Sequence, residues 1–421
     1  MTLTVPSTTP ATTVSPGRQA LDSALSRLGQ AADRLRLDDG LRTMLATPRR
    51  ALTVSVPVRR EDGRMEVVRG FRVEHNTARG PAMTGVRFHP DADLDRITAL
   101  AMAMTWRCAL VGIPYGGAAG GLCVTPAGLT GRELERLTRR YAGEILPVLG
   151  PEQDVPSPDL GTDERTMTWL LDGYPAGGHP ASGAVTGVAP GGGRTEAASR
   201  GLATATLKAL PGSPEGRTVA VQGFGRIGAR AARHLADAGC RVVAVSDGTG
   251  AVAAASGLDV GALSAWADEN GGVRGHRHAD SLSREDLLEL DVDVLVLAAT
   301  GEAVSAGNAP RVRARLVVEG SNGPVTPEAD VILADAGTTV VPDILANAGG
   351  VIVSHLEREQ NLHACSWSAK EIDARLRRLV EETSDTVAAV AAEHGTTLRQ
   401  AAHLVGVGRV AEAHRLRGLC S

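Results

Sequence analysis

Gly223-Phe224-Gly225-Arg226-Ile227-Gly228 is a GxGxxG string, a spacing that can carry a phosphate-bearing ligand past a tight turn. Glycine supplies 50 of the 421 residues, so the string alone says little. Its context says more, because it follows the apolar run 218–222 and opens a helix. In that setting the first glycine permits the turn, the second lets backbone approach a pyrophosphate, and the third admits close helix–strand packing. Asp247 stands 19 residues past Gly228, at the end of the next apolar run. A carboxylate there bonds an adenosine ribose and repels a 2′-phosphate, which favours NAD over NADP without excluding NADP. The alternative is a tight glycine turn in a doubly wound domain that binds nothing.

The densest candidate chemistry lies at residues 75–162. Gly116-Gly117-Ala118-Ala119-Gly120-Gly121 would let backbone approach a small ligand, and Asp159, after Pro156-Ser157-Pro158, is a rigidly presented carboxylate. Tight turns and a helix-capping aspartate would read the same way. Lys208 and Lys370 are the only lysines among 44 basic residues. Arginine replaces lysine freely on a solvated surface but not where a titratable amine is needed.

The elements that must position these residues follow from periodicity. Residues 1–17, rich in Thr, Ser and Pro, read as a disordered tail. Leu21, Leu25, Leu28, Ala32 and Leu35 mark an amphipathic helix. Alternating Leu52, Val54, Val56 and Val58, the Glu61-Asp62-Gly63 turn, and Val67, Phe71 and Val73 predict a hairpin. A helix from about 94 to 110 places Ile97, Leu100, Ala101, Met104 and Cys108 on one face. After a Gly-rich stretch at 189–193, helices alternate with apolar strands near 218–222, 242–245, 292–297, 316–318 and 338–341. That order predicts an α/β fold of two domains, the second a doubly wound, Rossmann-like parallel sheet covered on both faces.

Composition narrows the class. A net charge of −4 lacks the basic excess of a nucleic-acid protein, and three Phe, three Tyr and four Trp leave few stacking platforms. No apolar stretch approaches a membrane span, and the N-terminus lacks a signal core. Five scattered cysteines form neither a metal-ligand spacing nor a disulfide framework, so no metal is expected. A cytoplasmic protein is the expectation.

Taken together, segments 75–82, 85–90, 104–109, 112–121 and 156–162, with Glu319-Gly320-Ser321-Asn322-Gly323-Pro324 and the run 341–350, resemble the glutamate/leucine/phenylalanine/valine dehydrogenases, glutamate dehydrogenases above all. The resemblance spans roughly residues 40–421. It implies a substrate-binding and oligomerisation domain (18–185), an NAD(P)-binding domain (186–350), and C-terminal helices (351–421) that pack back on the first domain. It also implies conversion of an L-amino acid to a 2-oxo acid and ammonia, with hydride passing to the nicotinamide, in a homo-oligomer that is commonly a hexamer.

The resemblance also shows departures. The family lysine that pairs with a distal substrate carboxylate corresponds to Met83, which points to apolar substrates over glutamate. The lysine that binds the α-carboxylate corresponds to Arg107, which can hold it bidentately. Ala119 occupies the place of the catalytic lysine, and losing such a group costs ~10²–10⁴ in rate. Asp159, the proton-transfer carboxylate, is retained, as are Asn322, Asn347 and Ser354 near the nicotinamide and substrate. Ala198 stands where a threonine would hold the carboxamide, in a segment shortened before it. Three readings remain: an NAD(P)-dependent amino-acid oxidoreductase that is weak or altered in substrate, a non-catalytic regulatory subunit paired with an active paralogue, and, disfavoured by the intact nucleotide turn, a purely structural protein that binds neither ligand.

Overall fold

Ser15 starts the first helix. Its side chain accepts from the Arg18 amide, and Pro16 takes the first turn, where a missing N–H costs nothing. The tail expected through residue 17 therefore stops short of Pro16 and Gly17, which are helical. Gly17 is pressed onto the first domain, since a Cβ there would lie 2.1 Å from Asp93 Oδ1. This computed structural model describes residues 15–174, 183–188, 193–299 and 301–418; the rest of the expected tail, most of the Gly-rich stretch and Cys420 lie outside them.

From α1 (Pro16–Arg34) the chain runs through α2 (Asp39–Ala46), β1 (Arg50–Arg59), β2 (Met65–Asn76), β3 (Ala82–Phe88), α3 (Leu94–Leu110) and β4 (Gly116–Leu122). It continues through α4 (Gly131–Ile145), β5 (Asp154–Pro158) and α5 (Glu164–Asp172). The strands form one sheet in the order β1-β2-β4-β3-β5. β1 and β2 make the expected antiparallel hairpin, with Arg59 opposite Met65, and β3 lies parallel to both β4 and β5.

The second half begins with α6 (Gly193–Ala209), β6 (Thr218–Gln222), α7 (Gly228–Asp237), β7 (Arg241–Ser246) and β8 (Ala251–Ala253). Next come α8 (Val260–Asn270), β9 (Asp280–Leu282), α9 (Arg284–Leu288), β10 (Val294–Leu297), β11 (Leu316–Glu319), α10 (Pro327–Asp335) and β12 (Thr339–Val341). The last helices are α11 (Asp343–Ala346), α12 (Gly349–His363), α13 (Ala369–Glu393) and α14 (Leu398–Arg417). Seven strands form the second sheet in the order β12-β11-β10-β6-β7-β8-β9, parallel from β12 to β7. Val294–Leu297 and Leu316–Val318 are buried on both faces, as unbroken apolar runs require. The order of connection reverses at β6, so the GxGxxG turn sits at the topological switch point.

The helix expected to bury one face is buried nearly all round. Ile97 and Ala101 of α3 cover the first sheet, while Met102, Trp106 and Cys108 belong to the larger core beside α1 and α14. Periodicity reveals one apolar stripe; the second follows from α14 returning over α3. Arg409 of α14 donates to the carbonyls of Ala109 and Leu110, closing the C-terminal end of α3. No helix among the described residues is long and apolar enough to cross a membrane.

Candidate active site

The glycine turn is built as its spacing requires. Gly223 has a left-handed φ of 97°, and its amide and that of Phe224 donate to the Ser246 carbonyl. A Cβ on Gly223 would lie 2.5 Å from the Ala299 amide, and one on Gly228 would lie 1.9 Å from the Gly223 carbonyl. Gly225 differs, because nothing lies within 4 Å of its Cβ position. The outer glycines close the turn and the middle one leaves an open cradle ahead of α7, which fits a pyrophosphate.

Asp247 directly follows β7, but its oxygens are largely engaged by the chain. Oδ1 accepts from the Thr249 amide at 2.7 Å and its hydroxyl at 2.6 Å, and Oδ2 accepts from the Val273 amide at 2.8 Å. The carboxylate thus pins two segments at the wall where an adenosine would lie.

On the other side, the buried Arg107 guanidinium projects from the last turn of α3. Nη2 donates to Asn322 Oδ1 at 2.8 Å, and Asn347 Nδ2 approaches the same oxygen at 3.4 Å. Residues expected to hold substrate and cofactor therefore meet at one point between the sheets. Arg107 Nε is buried without a partner. Burial lowers its pKa, opposed by Asp343, Cys108 and Asp159.

Asp159 follows β5 and lies over Gly85 of β3, where a Cβ would come within 2.4 Å of the aspartate Cβ. Only glycine at 85 permits this placement. Arg87 Nε donates to Asp159 Oδ2 at 3.0 Å. Burial raises the carboxyl's pKa, but Arg87, the Leu160 amide and Arg194 outweigh it and hold the group below the usual range.

Ala119 pairs with Val73 of β2. Counting along β3 and β4 from Met83 opposite Gly117 and Val86 opposite Gly120 sets Ala119 opposite Gly85, beside Asp159. Its methyl is buried with Phe71, Val73, Ile97 and Ala101. The surrounding glycines are packed closely against protein. A Cβ on Gly116 would lie 1.9 Å from the Asn76 carbonyl, one on Gly117 2.2 Å from the Thr105 amide, and one on Gly121 1.9 Å from the Arg87 carbonyl. Their lack of side chains lets neighbouring strands and α3 approach. Met83 is fully buried in the core.

Arg194, at the start of α6, is a site residue the sequence reading missed. It donates to the Gly350 carbonyl at 2.9 Å and to the buried Ser354 hydroxyl. Burial and Arg107 pull its pKa down to about 10, against Asp159 and Glu357. Glu357 also accepts from the amides of Gly187 and Val188, fixing the segment before α6. No lysine joins this cluster: Lys208 Nζ pairs with Asp385 at 2.9 Å, and Lys370 is exposed on α13. Among the described residues no group of three or more His, Cys, Asp or Glu is placed to hold a metal.

Two matches decide the family. Residues 48–176 match the family described as "Glu/Leu/Phe/Val dehydrogenase, dimerisation domain". Residues 191–418 match "Glutamate/Leucine/Phenylalanine/Valine dehydrogenase". The chain belongs to this dehydrogenase family. It is 43% identical over 413 residues to the glutamate dehydrogenase of Thermotoga maritima, covering 96% of this chain and 99% of that one. It is also 43% identical to the NAD-specific glutamate dehydrogenase A of Halobacterium salinarum, over 95% of this chain and 94% of that one. Among solved structures it resembles the hetero-hexameric glutamate dehydrogenase from Thermus thermophilus in its Leu-bound form. That match has a TM-score of 0.90 and 37% identity, over 96% of this chain and 98% of that one. Family membership supports an amino-acid dehydrogenase with a nicotinamide cofactor, and the dimerisation domain supports an oligomer.

Proposed function

We propose that this chain binds a nicotinamide dinucleotide and an amino acid or 2-oxo acid in the cleft between its sheets without turning them over, and serves as a non-catalytic, regulatory member of an amino-acid dehydrogenase assembly. One observation carries the reading: Arg107, Arg194, Arg87 and Asp159 converge with no titratable amine among them, and the residue opposite Gly85 is an alanine.

The cluster divides the work of such a site. Arg107, with a free Nε–H, is suited to hold an α-carboxylate, and Asn322 fixes its plane. Arg194 on Ser354 sets a second cation on the opposite wall, one that an expectation based on Met83 alone leaves out. Two partly uncompensated guanidiniums favour a dicarboxylate over an apolar acid, in keeping with the glutamate dehydrogenases among its relatives. A bound nicotinamide supplies the hydride acceptor. The chain's own acid–base group is Asp159, whose negative charge Arg87 and Arg194 stabilise, so it is a weak base at neutral pH. A carbinolamine oxygen beside it would find arginine donors but no amine to pass a proton.

The retained, ionised Asp159 favours a second reading, a slow dehydrogenase of altered substrate. Calorimetry with NADH and 2-oxoglutarate, followed by rates for the chain alone and co-assembled with an active glutamate dehydrogenase from the same genome, separates the two. Binding without turnover, together with altered kinetics in the mixed assembly, supports the regulatory reading. Turnover by the chain alone near the rate of its partner would overturn it.

A further inference from the structure

The wall on which the adenosine end of a dinucleotide would lie is completed by a loop from further along the chain. Residues 271–278, between α8 and β9, hold Arg274, Arg277, His276 and His278 and no carboxylate. Two contacts fix this loop to the end of β7. The Val273 amide donates to Asp247 Oδ2 at 2.8 Å, and the Arg274 amide donates to the Thr249 hydroxyl at 3.3 Å. From behind, Trp266 Nε1 of α8 donates to the Arg274 carbonyl at 3.4 Å. The Arg274 stem lies along the turn that follows Asp247, because a Cβ on Gly250 would meet its Cδ and Cγ at 3.7 Å. Arg274 is exposed and, among the described residues, has no carboxylate within 4.0 Å of its guanidinium.

Asp247 does not guard this place as a bare carboxylate would. Most of its acceptor capacity is taken by the Thr249 amide, the Thr249 hydroxyl and the Val273 amide. Gly272 also crowds Oδ2, since a Cβ there would lie 2.9 Å from it. Little is left for a ribose 2′-hydroxyl, the contact by which a carboxylate at this position selects NAD. Gly248, the next residue, borders open space, with nothing but its chain neighbours within 4 Å of its Cβ position. An occupied carboxylate, an open position beside it and an unpaired guanidinium are together suited to a phosphate on the ribose. We propose that Arg274 binds the 2′-phosphate of NADP(H), and that this chain prefers the phosphorylated dinucleotide to NAD(H). The inference rests on the dinucleotide site of the proposed function, and it reverses the preference that Asp247 suggests in the sequence. Arg277, exposed on the same loop, provides the comparison for charge alone.

The test titrates the full chain with NADPH and with NADH by calorimetry, in the wild type, Arg274→Ala and Arg277→Ala. The wild type should bind NADPH more tightly. Arg274→Ala should weaken NADPH roughly tenfold and leave NADH unchanged, the loss expected for one charged hydrogen-bond partner. Arg274→Gln keeps the stem over Gly250 and should show the same selective loss, which covers any disturbance of the loop by alanine. Adenosine 2′,5′-bisphosphate, which lacks the nicotinamide, should lose affinity by the same factor in both Arg274 variants. NADPH binding should also weaken more steeply with added salt than NADH binding, and the Arg274 variants should remove that difference. Wild-type affinity for NADH equal to or above that for NADPH would overturn the inference and leave the dinucleotide site standing. So would equal losses for both dinucleotides in Arg274→Ala, or a loss of NADPH in Arg277→Ala as large as that in Arg274→Ala. Failure of either dinucleotide to bind would instead overturn the dinucleotide site itself, and this assignment with it.

Discussion

Arg87 Nε lies 3.0 Å from Asp159 Oδ2, so the carboxylate at the edge of the cleft is neutralised by a guanidinium on the neighbouring strand. The pair forms because Gly85 has no side chain and lets Asp159 fold down over β3. Its net effect is a depressed carboxyl pKa in spite of burial.

Replacing Arg87 by Gln should reverse that direction. Asp159 would keep its burial and lose its main countercharge, so its pKa should rise above the ordinary carboxylate value. The sign follows from linkage: a carboxyl depressed in the folded state contributes stability above its unfolded pKa, near ~3.9, and loses it as pH falls through the folded value. In the variant the folded pKa lies above the unfolded one, so ionised Asp159 opposes folding at neutral pH and that penalty is relieved as pH falls through the raised value. The wild type instead loses the contribution of this group on the acid side. Carboxyl carbon titration by NMR would check it, and an unshifted Asp159 would dissolve the pairing argument.

One substitution can separate the loop-holding role of Asp247 from the ribose contact proposed for it. Asp247→Ser removes the acceptor of the Val273 amide, so that amide should exchange faster with solvent. If the remaining lone pairs also meet a ribose, NADH should bind roughly tenfold more weakly, the equivalent of about 1.4 kcal/mol, while NADPH is spared. Equal losses for both dinucleotides would restrict Asp247 to holding the loop.

Arg194 should decide substrate class. Removing a charged hydrogen-bond donor costs about 1.5–3 kcal/mol, so Arg194→Ala should weaken 2-oxoglutarate roughly 10–100-fold. The apolar 4-methyl-2-oxopentanoate should change little, because it offers Arg194 no second carboxylate. Calorimetry on both ligands is sufficient. If the apolar acid binds the wild type more tightly than 2-oxoglutarate, then Met83 and not Arg194 sets the pocket.

These sites differ in how far the sequence discloses them. The GxGxxG turn was legible because strand, turn and helix are contiguous, and the structure adds only that Gly225 is the open one. The meeting of Arg107, Asn322 and Asn347 spans more than 200 residues of chain, and motif order could suggest it only through a family likeness. Arg194 gave no signal, since in a chain whose bases are nearly all arginine one more carries no contrast. The glycines at 116–121 read two ways for a physical reason. Room for a ligand and room for a neighbouring strand demand the same missing side chain, and here the strands and α3 fill it. The all-round burial of α3 was hidden likewise, because its outer cover, α14, lies some 300 residues on.

The sharpest test is Ala119→Lys. Ala119 sits opposite Gly85, and Asp159 lies over that glycine, so a lysine introduced on this strand faces the carboxylate across the ~4.8 Å between neighbouring strands. On the face that Ala119 shares with Gly117 the strand lies tight against α3, where a Cβ on Gly117 would lie 2.2 Å from the Thr105 amide. The new side chain must therefore run along the face shared with Phe71, Val73, Ile97 and Ala101, burying its stem. Asp159 offers the amine an ion pair, but the α3 packing must shift, so the melting temperature should fall by a few degrees, about 1–2 kcal/mol. Ala119→Met carries the same bulk without the charge and serves as the control. Reductive amination by the lysine variant should exceed both wild type and the methionine variant by roughly 10-fold or more, part of the ~10²–10⁴ that an acid–base group supplies. Adding Ala198→Thr should increase the rate again, by holding the carboxamide. If both lysine variants fold, bind NADH and remain at the wild-type rate, the cleft has lost more than one amine, and its place in the assembly is to bind rather than to react.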